Sequence, residues 1–307
     1  MKAALLIPCF NRREITLHCL RHLIDSGVDK WATLVVVDDA STDGTAEAVR
    51  AGFPTVEIVS GSGDLWWGGA INLGMQWALD HKAEFVFWLN DDGLPRPGAL
   101  ECMLDVSQSQ NAITIANGVL RETGALHYGG MEKTPAYVKV IDCDAGETRS
   151  CETFCGNCVC FPAEAIRKVG FIDTNAFPHF AGDADYGFKA DALGVPLVIV
   201  GDAVCDCSYG QSKNRMSWLL GEMTVPELWK VCFHPKGGSL ARCGFLFKWR
   251  HWGLRGLVDY ALSFIRLLCV SLIRLILPLD WLQKALGPGH RVHEQMQAVK
   301  QWEENHT

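Results

Sequence analysis

The sequence contains no Gly-rich phosphate-binding loop of the Walker type, no internal repeat and no low-complexity tract. The missing loop argues against a P-loop nucleotide-binding protein. An excess of positive charge is also lacking, since 28 Lys and Arg stand against 35 Asp and Glu and leave a net charge of −7. That balance argues against a protein devoted to nucleic acid. With 49% hydrophobic and 21% charged residues, the composition is that of a globular chain.

A secretory leader is not evident, because Met1 and Lys2 run directly into a short apolar segment. Thirteen cysteines are present, an odd number that does not fit a fully paired disulfide framework. We therefore expect free thiols in a reducing, cytoplasmic compartment.

Apolar runs alternate with amphipathic stretches through the first half of the chain. Strands are predicted at Ala3–Ile7, Leu34–Asp38, Val56–Val59 and Phe85–Leu89, and helices at Glu14–Asp25, Thr45–Ala51 and Gly69–Asp80. This alternation predicts an α/β fold with a mixed, mostly parallel sheet flanked by helices. Ligands of such sheets bind beyond the carboxyl ends of the strands.

Carboxylates follow two of these strands. Asp38 and Asp39 end the second, and although Ser41, Asp43 and Thr45 can be read as helix caps, capping does not explain two adjacent carboxylates. The fourth strand runs into Asn90-Asp91-Asp92-Gly93, which singly could be an ordinary turn. Two carboxylate clusters on one sheet edge suit Mg²⁺ or Mn²⁺ bound to a diphosphate.

Four segments in this order resemble family 2 glycosyltransferases of the GT-A fold. They are Ile7–Asn11, Val37–Thr45, the Gly- and Asn-rich Asp64–Gly74, and Asn90–Asp92. The likeness covers roughly residues 1–215 and departs from the family at Trp66, where the family often has Gly. It implies a metal-dependent, inverting transfer from a nucleoside-diphosphate sugar.

The resemblance also implies roles for individual residues. Asp39 would bind the nucleotide base beside Pro8 and Asn11, Asp91 would approach the ribose or metal, and Asp92 would hold the metal. The remaining predicted donor contacts are Asp64, Gly69 and Asn72. Trp66 and Trp67 either stack on a sugar or pack beneath the following helix, and both readings stay open.

The family's catalytic base follows the metal motif by about ninety residues, and here that segment is Phe180–Lys189. Asp183 is the candidate base, with a helix cap as the alternative reading. Gly182 stands where the family usually has Glu, and Asp185 is assigned to the acceptor. A single base without a second nucleophile implies inversion.

A family His-x-x-Gly-x-Ser motif, which helps to bind metal or diphosphate, falls here on Cys207–Ser212. Cysteine is a soft ligand poorly matched to Mg²⁺, so Asp206 is an alternative to Cys207 as the second metal contact. Cys155 and Cys158 also have the spacing of zinc ligands, and a tetrahedral site could be completed from Cys151, Cys160, Cys205 and Cys207. We favour instead a buried strand over Phe154–Phe161, in which the cysteines act as small apolar residues.

The C-terminal part of the chain is basic and apolar. From Lys230 to Lys284 there are nine Lys and Arg against two acids, a net charge of +7. A membrane span over Leu257–Leu279 would be energetically costly, because the segment contains Asp259, Arg266 and Arg274. Helices on a membrane surface fit better, with a packed helix or an oligomer contact as alternatives. That surface would be the inner face of the cell membrane, beside a lipid-linked or other glycan acceptor. The basic and aromatic residues of these helices are Arg250, Arg255, Arg266, Arg274, Trp249, Trp252, Phe264 and Trp281.

The predicted organisation is a catalytic domain over residues 1–215, a linker over 216–245 and a helical region over 246–307. Among family members the likeness is greatest to rhamnosyl- and galactofuranosyl-type transferases of surface polysaccharide synthesis. Two other functions remain open: a sugar-phosphate nucleotidyltransferase, which would normally begin with a Gly-rich loop, and a non-catalytic nucleotide-sugar-binding protein.

Overall fold

The computed structural model describes residues 2–207, 218–234 and 238–286. Its strands are β1 Ala3–Cys9, β2 Ala32–Asp38, β3 Glu57–Ser60, β4 Phe85–Leu89, β5 Gly93–Pro95, β6 Ile113–Leu120, β7 Leu126–Tyr128, β8 Gly130–Lys133, β9 Val138–Val140, β10 Thr148–Ser150, β11 Thr153–Phe154, β12 Cys158–Pro162 and β13 Leu197–Cys207. Its helices are α1 Arg13–Asp25, α2 Thr45–Gly52, α3 Trp66–Asp80, α4 Ala99–Gln110, α5 Ala163–Val169, α6 Gly182–Ala192, α7 Val225–Cys232, α8 Arg242–Ile276 and α9 Leu279–Leu286, with a 3₁₀ turn at Val28–Lys30.

The main sheet has the strand order β10-β13-β6-β12-β4-β1-β2-β3. Strands β4, β1, β2 and β3 are parallel, and β12 joins β4 in the antiparallel sense. A second, three-stranded sheet has the order β11-β8-β9. The predicted mixed α/β sheet with flanking helices is confirmed, and its parallel half is the part built from the first ninety residues.

The sheet is covered on both faces because β1 alternates between two buried sides. Leu5 belongs to the cluster that includes Leu20 of α1, whereas Leu6 belongs to the cluster that includes Met75 of α3. The contact with α3 is close: a Cβ on Gly74 would lie 2.9 Å from side-chain atoms of Leu6 and Val37. Burial on both faces explains why the parallel strands read as continuous apolar runs.

The segment Phe154–Phe161 is not the single strand that the sequence predicts. It divides into β11 and β12, separated by a turn over residues 155–157. The segment divides because its two parts pair with strands that are distant in the sequence. Strand β11 pairs with β8 in the small sheet, and β12 pairs with β4 in the large one. The chain therefore changes sheets between these strands.

The chain divides into two compact units, Met1–Val119 with Leu126–Cys207, and Leu120–Ala125 with Ser208–Thr307. In the second unit, α7 lies within the predicted linker 216–245. Thr224 and Glu227 form a reciprocal capping box at its start, which is a strong helix-initiation signal. Leu228 and Cys232 of α7 are buried in a small core with Leu267 of α8.

Helix α8 is interrupted at Gly253, whose φ of 57° and ψ of −135° are not helical. The two parts fold back on each other: Lys248 forms an ion pair with Asp259, and the Tyr260 hydroxyl donates to the Leu240 carbonyl. Among the described residues, only α8 is long and apolar enough to cross a membrane by length and composition.

Candidate active site

The candidate site lies where β1, β2 and β4 end. Each of these parallel strands delivers its following loop to the same edge of the sheet. The Asp39 N–H donates to the Cys9 carbonyl at 3.0 Å, so the loops after β1 and β2 are joined at their bases. The predicted clustering of polar residues at strand ends therefore holds for these loops.

Arg12, just after β1, binds both carboxylates of the motif that follows β4. Its Nη1 lies 2.9 Å from Oδ1 of Asp91, and its Nη2 lies 2.9 Å from Oδ2 of Asp92. The two carboxylates differ in environment, since the Asp91 side chain is 2% exposed and that of Asp92 is 31% exposed. Sequence reasoning did not single out Arg12, and the only signal for it was a cation one residue after Asn11.

Asp91 points into the protein rather than toward a ligand. Thr16 donates to its Oδ2 at 3.2 Å, and burial raises the pKa of this carboxyl to about 7 while Arg12 opposes the rise. With these contacts, Asp91 holds Arg12 in place. The predicted contact of Asp91 with ribose or metal is therefore not favoured by its contacts.

Asp39 is 4% exposed and accepts three backbone hydrogen bonds from the loop that begins α3. The donors are the N–H groups of Gly63 at 2.7 Å, Leu65 at 2.9 Å and Trp66 at 3.1 Å. This arrangement shows how an acidic side chain is satisfied without a counter-ion, which the sequence did not indicate. An ionised carboxylate has about four acceptor positions, so one remains for a ligand.

The remaining residues predicted to bind the donor lie in different parts of the site. Pro8 lies buried in β1, and Asn11 lies in the loop after it with a φ of 52°. The Asn11 side chain accepts from the Thr42 N–H at 2.7 Å, which ties the loop after β1 to the loop after β2. Asp64 is exposed and accepts from the indole N–H of Trp66 at 2.9 Å.

Asn72 is bound to protein backbone by both ends of its amide. Its Nδ2 donates to the Ile172 carbonyl and its Oδ1 accepts from the Ile172 N–H, each at 2.9 Å. Asn72, predicted to contact the donor, therefore holds the segment that precedes α6. In the same helix, the N–H of Gly68 donates to the Pro178 carbonyl at 2.9 Å, next to Gly69, which is a predicted donor contact.

Trp67 joins the strand end of β4 to the site. Its indole N–H donates to Oδ1 of Asn90 at 2.9 Å, and its ring meets Trp88 edge to face at 5.7 Å. Trp88 in turn contacts Tyr186 of α6 at 5.3 Å. Of the two readings left open for Trp67, packing is therefore observed, and the same aromatic chain fixes α6 against the sheet.

Asp183 is the second residue of α6 and is half-buried. Its Oδ2 accepts from the Gly156 N–H and its Oδ1 from the Ala184 N–H, both at 2.8 Å. Burial raises the pKa of Asp183 above its ordinary value, although these two N–H groups lower it in part. Asp185, predicted as an acceptor contact, lies two residues further along α6 and is 5% exposed.

The turn over residues 155–157 connects the two motifs. The Asn157 carbonyl accepts from the Asn90 N–H at 3.0 Å, next to the Gly156 bond to Asp183. A Cβ on Gly156 would lie 2.6 Å from Cη2 of Trp67 and 3.1 Å from Cβ of Asp183. Sequence reasoning missed Gly156, because nothing local marks a glycine whose neighbours, Trp67 and Asp183, come from two distant segments.

The two residues predicted as alternatives for the second metal contact lie on β13 where it pairs with β5. Asp206 forms an ion pair with Arg96 at 2.9 Å, and Cys207 is buried with its Sγ 3.1 Å from the Val119 carbonyl. Residues 208–212 of the predicted motif lie outside the described residues. Within the described ranges, no group of three or more His, Cys, Asp or Glu side chains is arranged to hold a metal ion.

All thirteen cysteines fall in the described residues, and all are free thiols. Cys158 and Cys160 belong to a buried apolar cluster, as the small-hydrophobe reading predicts. Burial raises the pKa of Cys155 and Cys160 to about 12, which disfavours the thiolate that binds metal.

Comparison with known proteins agrees with this geometry. The family model described as glycosyl transferase family 2 matches residues 4–170, more than half of the chain. No curated protein sequence matches.

Several solved structures share the fold. The mannosyltransferase PcManGT from Pyrobaculum calidifontis, in complex with GDP-Man and Mn²⁺, is 18% identical with a TM-score of 0.57, over 98% of this chain and 84% of that one. GalNAc-T7 with UDP, GalNAc and Mn²⁺ is 13% identical with a TM-score of 0.57, over 68% of this chain and 44% of that one. S. aureus TarS is 14% identical with a TM-score of 0.51, over 96% of this chain and 55% of that one. The chain thus spans about half the length of the last two, and at these identities the likeness concerns the fold.

Proposed function

The chain belongs to glycosyl transferase family 2, and on that premise we propose that it moves a sugar from a nucleoside-diphosphate sugar to an acceptor hydroxyl with inversion. One observation carries the proposal: the half-buried Asp183 is joined through the turn over residues 155–157 to the strand end that bears Asp92. In a direct displacement the donor and the acceptor must be positioned together. One turn that holds both the base and the donor-binding edge of the sheet meets this need.

Asp183 acts as the general base. Its raised pKa makes the carboxylate a stronger proton acceptor than an exposed aspartate, and proton acceptors of this kind contribute about 10²–10⁴-fold to rates. The two N–H groups that bind Asp183 orient it while leaving acceptor positions for the incoming hydroxyl. A single base without a covalent nucleophile gives inversion.

Asp39, Pro8 and Asn11 form the proposed pocket for the nucleotide base. The support is their common position, because hydrogen bonds tie the loops after β1 and β2 to each other and Asp39 to the start of α3. The remaining acceptor position of Asp39 can take an N–H of the base. Trp66, half-buried with its indole N–H on Asp64, and Gly69 in the first turn of α3 remain proposed sugar contacts.

A divalent cation fits this site at Asp92 alone. The carboxylate of Asp92 is partly exposed and already faces one cation, the Arg12 guanidinium, whereas Asp206 and Cys207 are engaged elsewhere. One carboxylate plus substrate phosphates is a set that Mg²⁺ accepts, and Mn²⁺ takes the same oxygen ligands. When bound there, the metal would neutralise the charge of the leaving nucleoside diphosphate.

The acceptor is proposed to be a lipid-linked glycan of cell-surface polysaccharide synthesis, reached from the cytoplasmic face of the membrane. Support comes from α8, where aliphatic side chains are exposed along one face: Leu254, Val258, Leu262, Ile265, Leu268, Leu272 and Ile276. Arg255 and Arg266 are also exposed, as a basic interfacial helix requires. Arg274 does not share this role, since it donates to the carbonyls of Trp218 and Met223.

Vesicle co-sedimentation tests membrane binding. The full chain should sediment with vesicles containing anionic lipid, and replacing Leu262 and Leu272 together with Glu should abolish this. Leu193→Glu, at another exposed leucine outside α8, is the control. Sedimentation unchanged by the double substitution would refute the proposed surface without touching the transferase proposal.

The donor site is tested by thermal stabilisation with UDP, dTDP and GDP, each with and without Mn²⁺ or Mg²⁺. Binding to the folded state should add about 2.7 kcal/mol at a hundredfold excess over the dissociation constant. Asp92→Ala should remove the metal-dependent part, whereas Asp105→Asn, an exposed carboxylate on α4, should not. No stabilisation by any nucleotide and metal would refute the transferase proposal.

A further inference from the structure

We infer that Arg12 exchanges partners in the donor site: it pairs with Asp92 before the donor binds, and afterwards presents the same guanidinium nitrogen to the donor's diphosphate. The inference rests on the proposed function, because it concerns the residues that meet the diphosphate and its cation. It assigns to Arg12 a role that neither the motif pattern nor the family match supplies.

One end of Arg12 is fixed. Its Nη1 lies 2.9 Å from Oδ1 of Asp91, whose side chain is 2% exposed and whose other oxygen accepts from Thr16. A buried carboxylate that loses its only cationic partner is strongly destabilised. Nη1 therefore stays on Asp91 whatever binds outside.

The other end of Arg12 is free to change partner. Its Nη2 lies 2.9 Å from Oδ2 of Asp92, and both side chains are about one-third exposed, at 29% and 31%. Ion pairs at such exposed positions contribute little to stability, because water competes for both charges. A stronger ligand for either group can thus displace this contact at small cost.

The charges predict opposite effects of Arg12 on the two ligands. A divalent cation alone must compete with Nη2 for Asp92 and is repelled by the guanidinium. A diphosphate places negative charge between the two cations, and guanidinium binds phosphate oxygens by short charge-assisted hydrogen bonds. Arg12 should therefore weaken the binding of the bare metal and strengthen that of the nucleotide with metal.

The first measurement is the binding of Mn²⁺ alone to the full chain, followed through the electron paramagnetic resonance signal of free Mn²⁺. Arg12→Gln should bind Mn²⁺ several-fold more tightly than the wild type. The second measurement is calorimetric binding of UDP, dTDP and GDP at saturating Mn²⁺. Here Arg12→Gln should weaken the best nucleotide about tenfold, the effect of losing one hydrogen bond to a charged group.

The controls separate this exchange from a structural role. Arg96→Gln removes a similar Arg–carboxylate pair, with Asp206, and should leave both affinities unchanged. Arg12→Lys keeps the charge but not the two-ended geometry, so it should restore competition with Mn²⁺ and recover only part of the nucleotide affinity. If Arg12→Gln does not fold, Arg12→Lys provides the test instead.

The outcomes are distinguishable. Loss of both affinities in Arg12→Gln, with the fold retained, would make Arg12 a positioning residue and overturn the exchange. Equal Mn²⁺ affinity of Arg12→Gln and wild type would also overturn it. If the wild type binds no nucleotide with Mn²⁺, the proposed function fails, and the exchange fails with it because its anion does not bind.

Discussion

The backbone N–H of Gly156 donates to Oδ2 of Asp183 at 2.8 Å, although the two residues belong to different segments of the site. No side chain could replace glycine there without moving its neighbours, since a Cβ would lie 2.6 Å from Trp67. The orientation of the proposed base therefore depends on a position that carries no functional group of its own.

Gly156→Ala should reduce kcat strongly. The added methyl displaces Trp67 or Asp183, and a misplacement of about 1 Å at a reacting group can cost about 10²-fold. The loss is measured as kcat with the identified donor. Gly52→Ala, where a Cβ meets nothing within 4 Å, is the control, and equal kcat values for the two variants would contradict the argument.

The activity should depend on pH through Asp183. The ionised form accepts the proton, and its pKa is raised by burial, so kcat/KM should rise with pH through an apparent pKa above the ordinary aspartate value of about 3.9. Asp183→Asn should lower kcat by about 10²–10⁴-fold and leave nucleotide binding intact. Asp191→Asn, an exposed carboxylate of the same helix, should keep the wild-type profile.

Asn72→Ala should destabilise the protein without weakening nucleotide affinity. Both hydrogen bonds to Ile172 are lost, and the stranded backbone groups cost about 1–3 kcal/mol. Urea unfolding measures the first effect and calorimetry the second. Gln76→Ala on the same helix removes only an exposed bond to Asp80, so its free energy of unfolding should change little. A specific loss of nucleotide affinity in Asn72→Ala would restore the donor-contact reading.

Trp67→Phe should separate the hydrogen bond of Trp67 from its packing. The smaller ring keeps a contact with Trp88 but cannot donate to Asn90, which should cost about 0.5–1.5 kcal/mol of stability. The free energy of unfolding, compared with that of Trp66→Phe, measures this effect. Trp66→Phe loses an exposed bond to Asp64, and a larger loss in that variant would contradict the assignment.

The parallel half of the fold and the location of the site could be predicted from the sequence. Buried strands such as β1 and β4 show as uninterrupted apolar runs, and the polar residues that follow them meet by the geometry of parallel strands. Asp92 was predicted in this way, from its place at the end of a strand, whereas Asp183 was predicted from the family resemblance.

What could not be predicted depends on partners distant along the chain. Asn72 was assigned to the donor because its loop matches a pattern, but its amide is held by Ile172, a hundred residues away. The division of β11 from β12 depends on which sheet each strand joins, and the local sequence does not encode this. Arg12 was missed for the same reason, since its importance comes from Asp91 and Asp92.

The aliphatic face of α8 has a practical consequence for any work in plain buffer. Exposed apolar patches of this kind rarely persist in monomeric soluble proteins, because removing them from water is favourable. We therefore expect purified chain to gather detergent, lipid or other copies of itself on that face. Apparent mass and specific activity should vary with protein concentration until a micelle or bilayer is supplied.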